Sequence, residues 1–148
     1  MRKLLWIGLG LVCGILSGCR GVGQSFIPRA KGGIIDLRQV DLRRTSVPLD
    51  GEWILYWNKL LGPGDPLPTS GQPVNFPALW RHTIINGHRL PDQGYATYAL
   101  TILLPKHTDS LALQLYNTYT SLRVFVNNLE VASAGHPGTT DNATVKIC

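Results

Sequence analysis

Glutamate is scarce in this chain, and cysteine is scarce outside its N-terminal segment. Glu52 and Glu130 are the only glutamates, and both fall in strand or turn positions, so a glycosidase working with two facing carboxylates finds no support. The three cysteines stand at positions 13, 19 and 148, with no disulfide framework and no Cys-x-x-Cys spacing for zinc. No Gly-x-Ser-x-Gly elbow and no phosphate-cradling glycine loop occurs, so no enzyme class and no cofactor is indicated. A basic stripe is missing as well. The formal net charge is +5, and setting aside Arg2 and Lys3 leaves 12 basic against 9 acidic residues. Arg38, Arg43 and Arg44 come nearest to a cluster and read as a solvated face, which excludes nucleic acid as a partner.

What is present begins with an export signal. Met1-Arg2-Lys3 is a short positive region, and Leu4 to Ile15 is an apolar run too short to span a bilayer comfortably. Leu16-Ser17-Gly18-Cys19 follows and resembles the bacterial lipobox. That resemblance implies cleavage after residue 18 and a diacylated Cys19 as the first mature residue. Acyl chains anchor at roughly 0.8 kcal/mol per buried methylene. An ordinary cleaved signal, with Cys19 incidental, and an uncleaved helical anchor are the competing readings. Arg20 in place of Asp resembles outer-membrane sorting in Gram-negative bacteria. The expected organisation is a leader over 1–18, a lipidated tether over 19–31 and a domain over 32–148.

The domain reads as all-β. Ile34 to Leu37 makes a first short strand, Asp50-Gly51 a turn, and Trp53 to Trp57 a strand with Trp53, Leu55 and Trp57 on one face. Asn58 to Leu61 suggests a helical turn. Four prolines and three glycines between 62 and 73 make an irregular loop. Val74 to Pro77 is extended, Arg81 to Gln93 is a polar loop, and Ala96 to Leu104 is the longest strand. Ser110 to Gly135 reads as an antiparallel meander of three strands, beginning with Leu111, Leu113 and Leu115 on one face. Leu122, Val124 and Val126 continue it, and Leu129 to Ala132 closes it. Asn127-Asn128 supplies a two-residue hairpin turn, because Asn tolerates positive φ. Six or seven strands with regular turns and no long helix point to a sandwich or barrel.

The order of marks between Gly33 and Gly138 resembles a known bacterial domain. The marks include Gly33-Ile-Ile-Asp-Leu, Val47-Pro-Leu-Asp-Gly-Glu-Trp, Phe76-Pro-Ala-Leu-Trp80, Gly94-Tyr-Ala-Thr-Tyr98 and Val126-Asn127. They resemble the periplasmic sensor of seven-transmembrane receptors with diverse intracellular signalling modules. The resemblance implies a galactose-binding-like jelly-roll β-sandwich, related to the sugar-binding domain of family 2 glycoside hydrolases. It implies a non-catalytic module for a small ligand such as a carbohydrate, or for a membrane signalling protein. The chain stops where that jelly roll still needs its closing strands, so a core face and a strand edge are expected to be exposed. A fragment of a glycoside hydrolase and a truncated, functionless product are the alternatives.

Candidate ligand residues lie on the polar loop: Trp80, Arg81, His82, Asp92 and Tyr95. Sugars are held by an aromatic face stacking on C–H groups together with planar polar side chains, and this loop contains both. The opposing reading makes Trp80 a buried plug at the sandwich end with solvated neighbours. His82 and His88 with Asp92 have a metal-binding composition but no spacing that converges them.

Overall fold

Strand β2 (Gly51–Trp57) is the centre of the fold, flanked by β3 (Gln72–Phe76) on one side and β6 (Ala96–Ala99) on the other, both antiparallel to it. The computed structural model describes residues 27–107, 110–116 and 120–140; the leader, Cys19 and the Val145–Cys148 run lie outside them. Trp53 pairs with Val74, and Leu55 pairs with both Gln72 and Tyr98. Strict alternation therefore places Trp53, Leu55, Trp57, Val74, Phe76, Ala96 and Tyr98 on one face of this sheet. Pro73 is tolerated because β3 is an edge strand, where a missing N–H breaks no second ladder.

Three further pairs complete the described structure. β1 (Ile34–Asp36) runs parallel to β7 (Thr101–Leu103), β4 (Ile84–Ile85) pairs with β5 (His88–Arg89), and β8 (Leu122–Val126) pairs with β9 (Leu129–Ala134). One 3-10 turn, Trp80–His82, is the only helical element among the described residues. The all-β class expected from the sequence is what the structure has.

Two apolar clusters hold these pieces together. Ala30, Ile35 and Leu37 form one, with Val47, Leu49, Trp53 and Leu100 packed against it. Leu55, Val74 and Leu90 form the other, with Trp57, Trp80, Ile85, Ala96 and Tyr98. Both draw on the Trp53–Leu55–Trp57 face. The opposite face buries Tyr56, and the loop beyond β2 is fastened there through Thr97: its Oγ1 accepts from Leu61 N and donates to the Lys59 carbonyl, each at 2.9 Å. Ala30 already belongs to the fold, since its N–H donates to the Asp50 carbonyl and its own carbonyl accepts from Glu52 N. The ordered ladder thus begins two residues before the expected boundary at Gly32.

Several local expectations change. The expected long strand over 96–104 breaks at Leu100, because the chain leaves β2 after Ala99 and Thr101 N then donates to the Gly33 carbonyl beside β1. Asn58 adopts φ 55°, a left-handed conformation that turns the chain out of β2 and leaves no helical turn over 58–61. The first strand of the meander is not formed. Residues 110–116 have no ladder partner among the described residues; Leu111 is 50%, Leu113 46%, Leu115 46% and Tyr116 80% exposed. Alternation marks a ribbon that could pair, but a strand without a partner leaves its backbone groups to water. The rest of the meander is the β8–β9 hairpin, with φ 48° at Asn127 and 66° at Asn128, the double positive φ that its two-residue turn demands.

Candidate functional site

The polar loop is more ordered than its composition suggests. Asn86-Gly87, with φ 50° and 78°, makes a tight turn between β4 and β5, and the resulting hairpin lies over the aromatic face of the central sheet. Leu90 and Ile85 point into the second cluster, while His88, Arg89 and Ile84 face outward. Buried Thr83 fixes the base: its N–H donates to the Trp80 carbonyl at 2.8 Å, its Oγ1 donates to the Leu79 carbonyl, and its own carbonyl accepts from Leu90 N at 3.0 Å.

Trp80 supports this hairpin from beneath. It is half-buried, meets Trp57 edge-on at 4.8 Å and 86°, and donates its indole N–H to Tyr98 Oη at 2.9 Å. Phe76 continues the row, with its ring centroid 5.1 Å from Tyr98 and 4.3 Å from Trp53. Edge-to-face and tilted pairs of this kind add to the stabilisation from area burial alone. Burial pushes the Tyr98 hydroxyl above its ordinary 10.0, and the hydrogen bond from Trp80 only partly offsets that. Trp80 is thus committed to the interior on its edge and its N–H.

The polar candidates stand around this base. Arg81 and Asp92 come within 4.0 Å, both largely exposed, so the pair is water-screened and adds little to stability. His82 sits exposed in the 3-10 turn, and its backbone N–H donates to the Leu79 carbonyl. Tyr95 is half-buried where the loop rejoins β6, its carbonyl accepting from Asn58 N at 3.0 Å. The structure therefore joins Arg81 to Asp92 at an exposed rim and places Trp80 below it. Among the described residues, no hydrogen bond or ion pair joins the side chain of Tyr95 or His82 to that pair.

Arg89 completes the rim and was not among the candidates. Its Nη1 donates to the Arg81 carbonyl at 3.2 Å, tying β5 back to the 3-10 turn. The signal for it was Asn86-Gly87 between Ile-Ile and His-Arg, the strongest short-range mark of a hairpin. Among the described residues no group of three or more His, Cys, Asp or Glu side chains is placed to hold a metal, so His82, His88 and Asp92 do not converge.

The rim can donate and accept hydrogen bonds and carries charges of both signs on a rigid aromatic support. Comparison with protein-family models, with curated proteins and with solved structures finds no match.

Proposed function

We propose that this protein is a non-catalytic recognition module of jelly-roll type, exported and held at a membrane by a lipid on Cys19, whose Arg81–Asp92 rim engages a polar ligand or a membrane signalling partner. The observation that carries the recognition part is the contrast within one short segment. Thr83, Leu90, Trp80 and Tyr98 fix the segment from below, while Arg81, His82, His88, Arg89 and Asp92 are all left exposed. Exposed polar groups on a rigid support lose little conformational freedom when they bind, which is the condition for useful affinity from a small contact. Recognition residues concentrate on loops held by a scaffold for the same reason.

The lipid anchor and the jelly-roll assignment are supported by the sequence marks, Leu16-Ser17-Gly18-Cys19 and the ordered motifs from Gly33 to Gly138. The exposed Leu111, Leu113, Leu115, Val126 and Val131 fit a sandwich whose faces are not all covered. Two experiments test the proposal. Metabolic labelling with palmitate should mark the wild type and not Cys19→Ser; an unmarked wild type removes the anchor. A thermal-shift screen of neutral and acidic saccharides and common metabolites should find a ligand that raises the melting temperature, and a flat screen on well-folded protein contradicts small-ligand recognition.

A further inference from the structure

A second concave surface lies at the ends of β1 and β7 and shares no residue with the Arg81–Asp92 rim. β1 and β7 are parallel, so their carboxyl ends leave the sheet side by side. Leu37 N donates to the Leu103 carbonyl at 2.8 Å and closes the pairing; beyond it the two segments separate. Between them lies an open groove of about 520 Å³, lined by Asp36, Arg38, Gln39, Leu104, Pro105 and Lys106. That volume falls within the range of small-molecule sites.

The chemistry of the lining is specific. Asp36 accepts from Arg38 N at 3.0 Å, from Nε at 3.0 Å and from Nη2 at 2.6 Å, so the guanidinium is held in one orientation by a paired fork. These hydrogen bonds hold the Asp36 carboxyl down at about 2, so it is ionised throughout the neutral range. Among the described residues, Arg38 Nη1, the Gln39 amide and Lys106 Nζ have no partner. With Asp36 set against Arg38, the groove keeps the one positive charge of Lys106. Leu104, 40% exposed, and Pro105 form an apolar wall beside these donors.

We propose that this groove binds a small hydroxylated carboxylate of the sugar-acid class, a proposal that rests on the recognition reading and gives it a ligand chemistry. The carboxylate meets Lys106 and the Nη1 of Arg38 that Asp36 does not take up, the hydroxyls meet the Gln39 amide, and the C–H face lies on Leu104 and Pro105. A neutral sugar leaves the Lys106 charge unanswered, and a bare anion leaves the amide and the apolar wall unused. Because the groove is open and its charges are exposed, binding is in the millimolar range and weakens as salt is raised.

The test is an amide chemical-shift titration of the purified full chain with sodium glucuronate, with glucose and sodium acetate as comparators at fixed ionic strength. Glucuronate is expected to shift residues 36–39 and 104–106 saturably and to bind more tightly than either comparator. Lys106→Gln should weaken glucuronate about fivefold with the rest of the spectrum unchanged, and Lys106→Arg should restore it. Equal binding of glucose or of acetate overturns the proposal, as does a failure of residues 36–39 and 104–106 to respond. Shifts confined to residues 81–95 overturn the groove while sustaining recognition at the rim. Silence everywhere also overturns the groove, and the rim is then judged by its own variants.

Discussion

The indole N–H of Trp80 donates to the Tyr98 hydroxyl at 2.9 Å, joining the 3-10 turn that opens the polar loop to strand β6 of the central sheet. Tyr98→Phe leaves that N–H unpaired in a half-buried site and should cost about 1–2 kcal/mol in urea unfolding, with a change in tryptophan fluorescence. The same pair sets an alkaline limit. Since burial raises the Tyr98 pKa above 10.0, its stabilisation is complete below pH 10 and is lost as pH rises through the folded value. Urea midpoints should therefore fall more steeply above pH 10 in the wild type than in Tyr98→Phe.

Gly94 lies against Trp57, which in turn supports Trp80. A Cβ there would stand 2.5 Å from Trp57 Cη2 and 2.7 Å from Cζ2, both on a ring fixed by its neighbours. Gly94→Ala should destabilise by about 1–3 kcal/mol, as overpacking does, and should weaken the near-ultraviolet dichroism of the Trp57–Trp80 pair. An unchanged spectrum and midpoint would show that the loop is not seated on Trp57.

The β8–β9 turn depends on asparagine. Asn128 has φ 66°, where a β-branched side chain clashes with its own backbone. Asn128→Val should cost about 1–2 kcal/mol and accelerate amide exchange in Leu122–Val126 and Leu129–Ala134, whereas Asn128→Gly should keep both protected. Because no residue of this hairpin belongs to either described cluster, the loss should stay local.

That turn was legible in the sequence, as were β1, the Trp53–Leu55–Trp57 face and the all-β class, since each rests on alternation or turn chemistry within a few residues. Strand partnership was not. Leu111, Leu113 and Leu115 alternate as well as Trp53, Leu55 and Trp57 do, and only tertiary pairing separates the strand from the unpaired ribbon. The break at Leu100 was hidden for the same reason: nothing local announces that Thr101 changes partner from β2 to β1. Within the polar loop the sequence marked Trp80, Arg81, His82, Asp92 and Tyr95 singly, and the approach of Arg81 to Asp92 came only with the structure. Nor could the sequence show that the Trp80 indole is taken up by Trp57 and Tyr98, because that depends on residues far apart in the chain.

Asp36 gives an acid-side prediction. Hydrogen bonds from Arg38 hold its carboxyl at about 2 against an ordinary 3.8, so the associated stabilisation is present above pH 3.8 and is lost as pH falls toward 2. Both side chains are well exposed, so the effect on global stability is small and the sharper readout is site-specific. Carboxyl carbon titration should place Asp36 near 2 in the wild type and return it toward 3.8 in Arg38→Gln.

Recognition at the polar rim meets its most direct test in a ligand screen run on three proteins side by side, the wild type, Arg81→Ala and Asp92→Ala. All three should melt cooperatively at nearly the same temperature, because these side chains are exposed and only loosely paired. The prediction is that a saccharide or metabolite raises the wild-type melting temperature and loses most of that effect in both variants. A ligand shift that survives both substitutions, or a wild type indifferent to the whole panel, contradicts it.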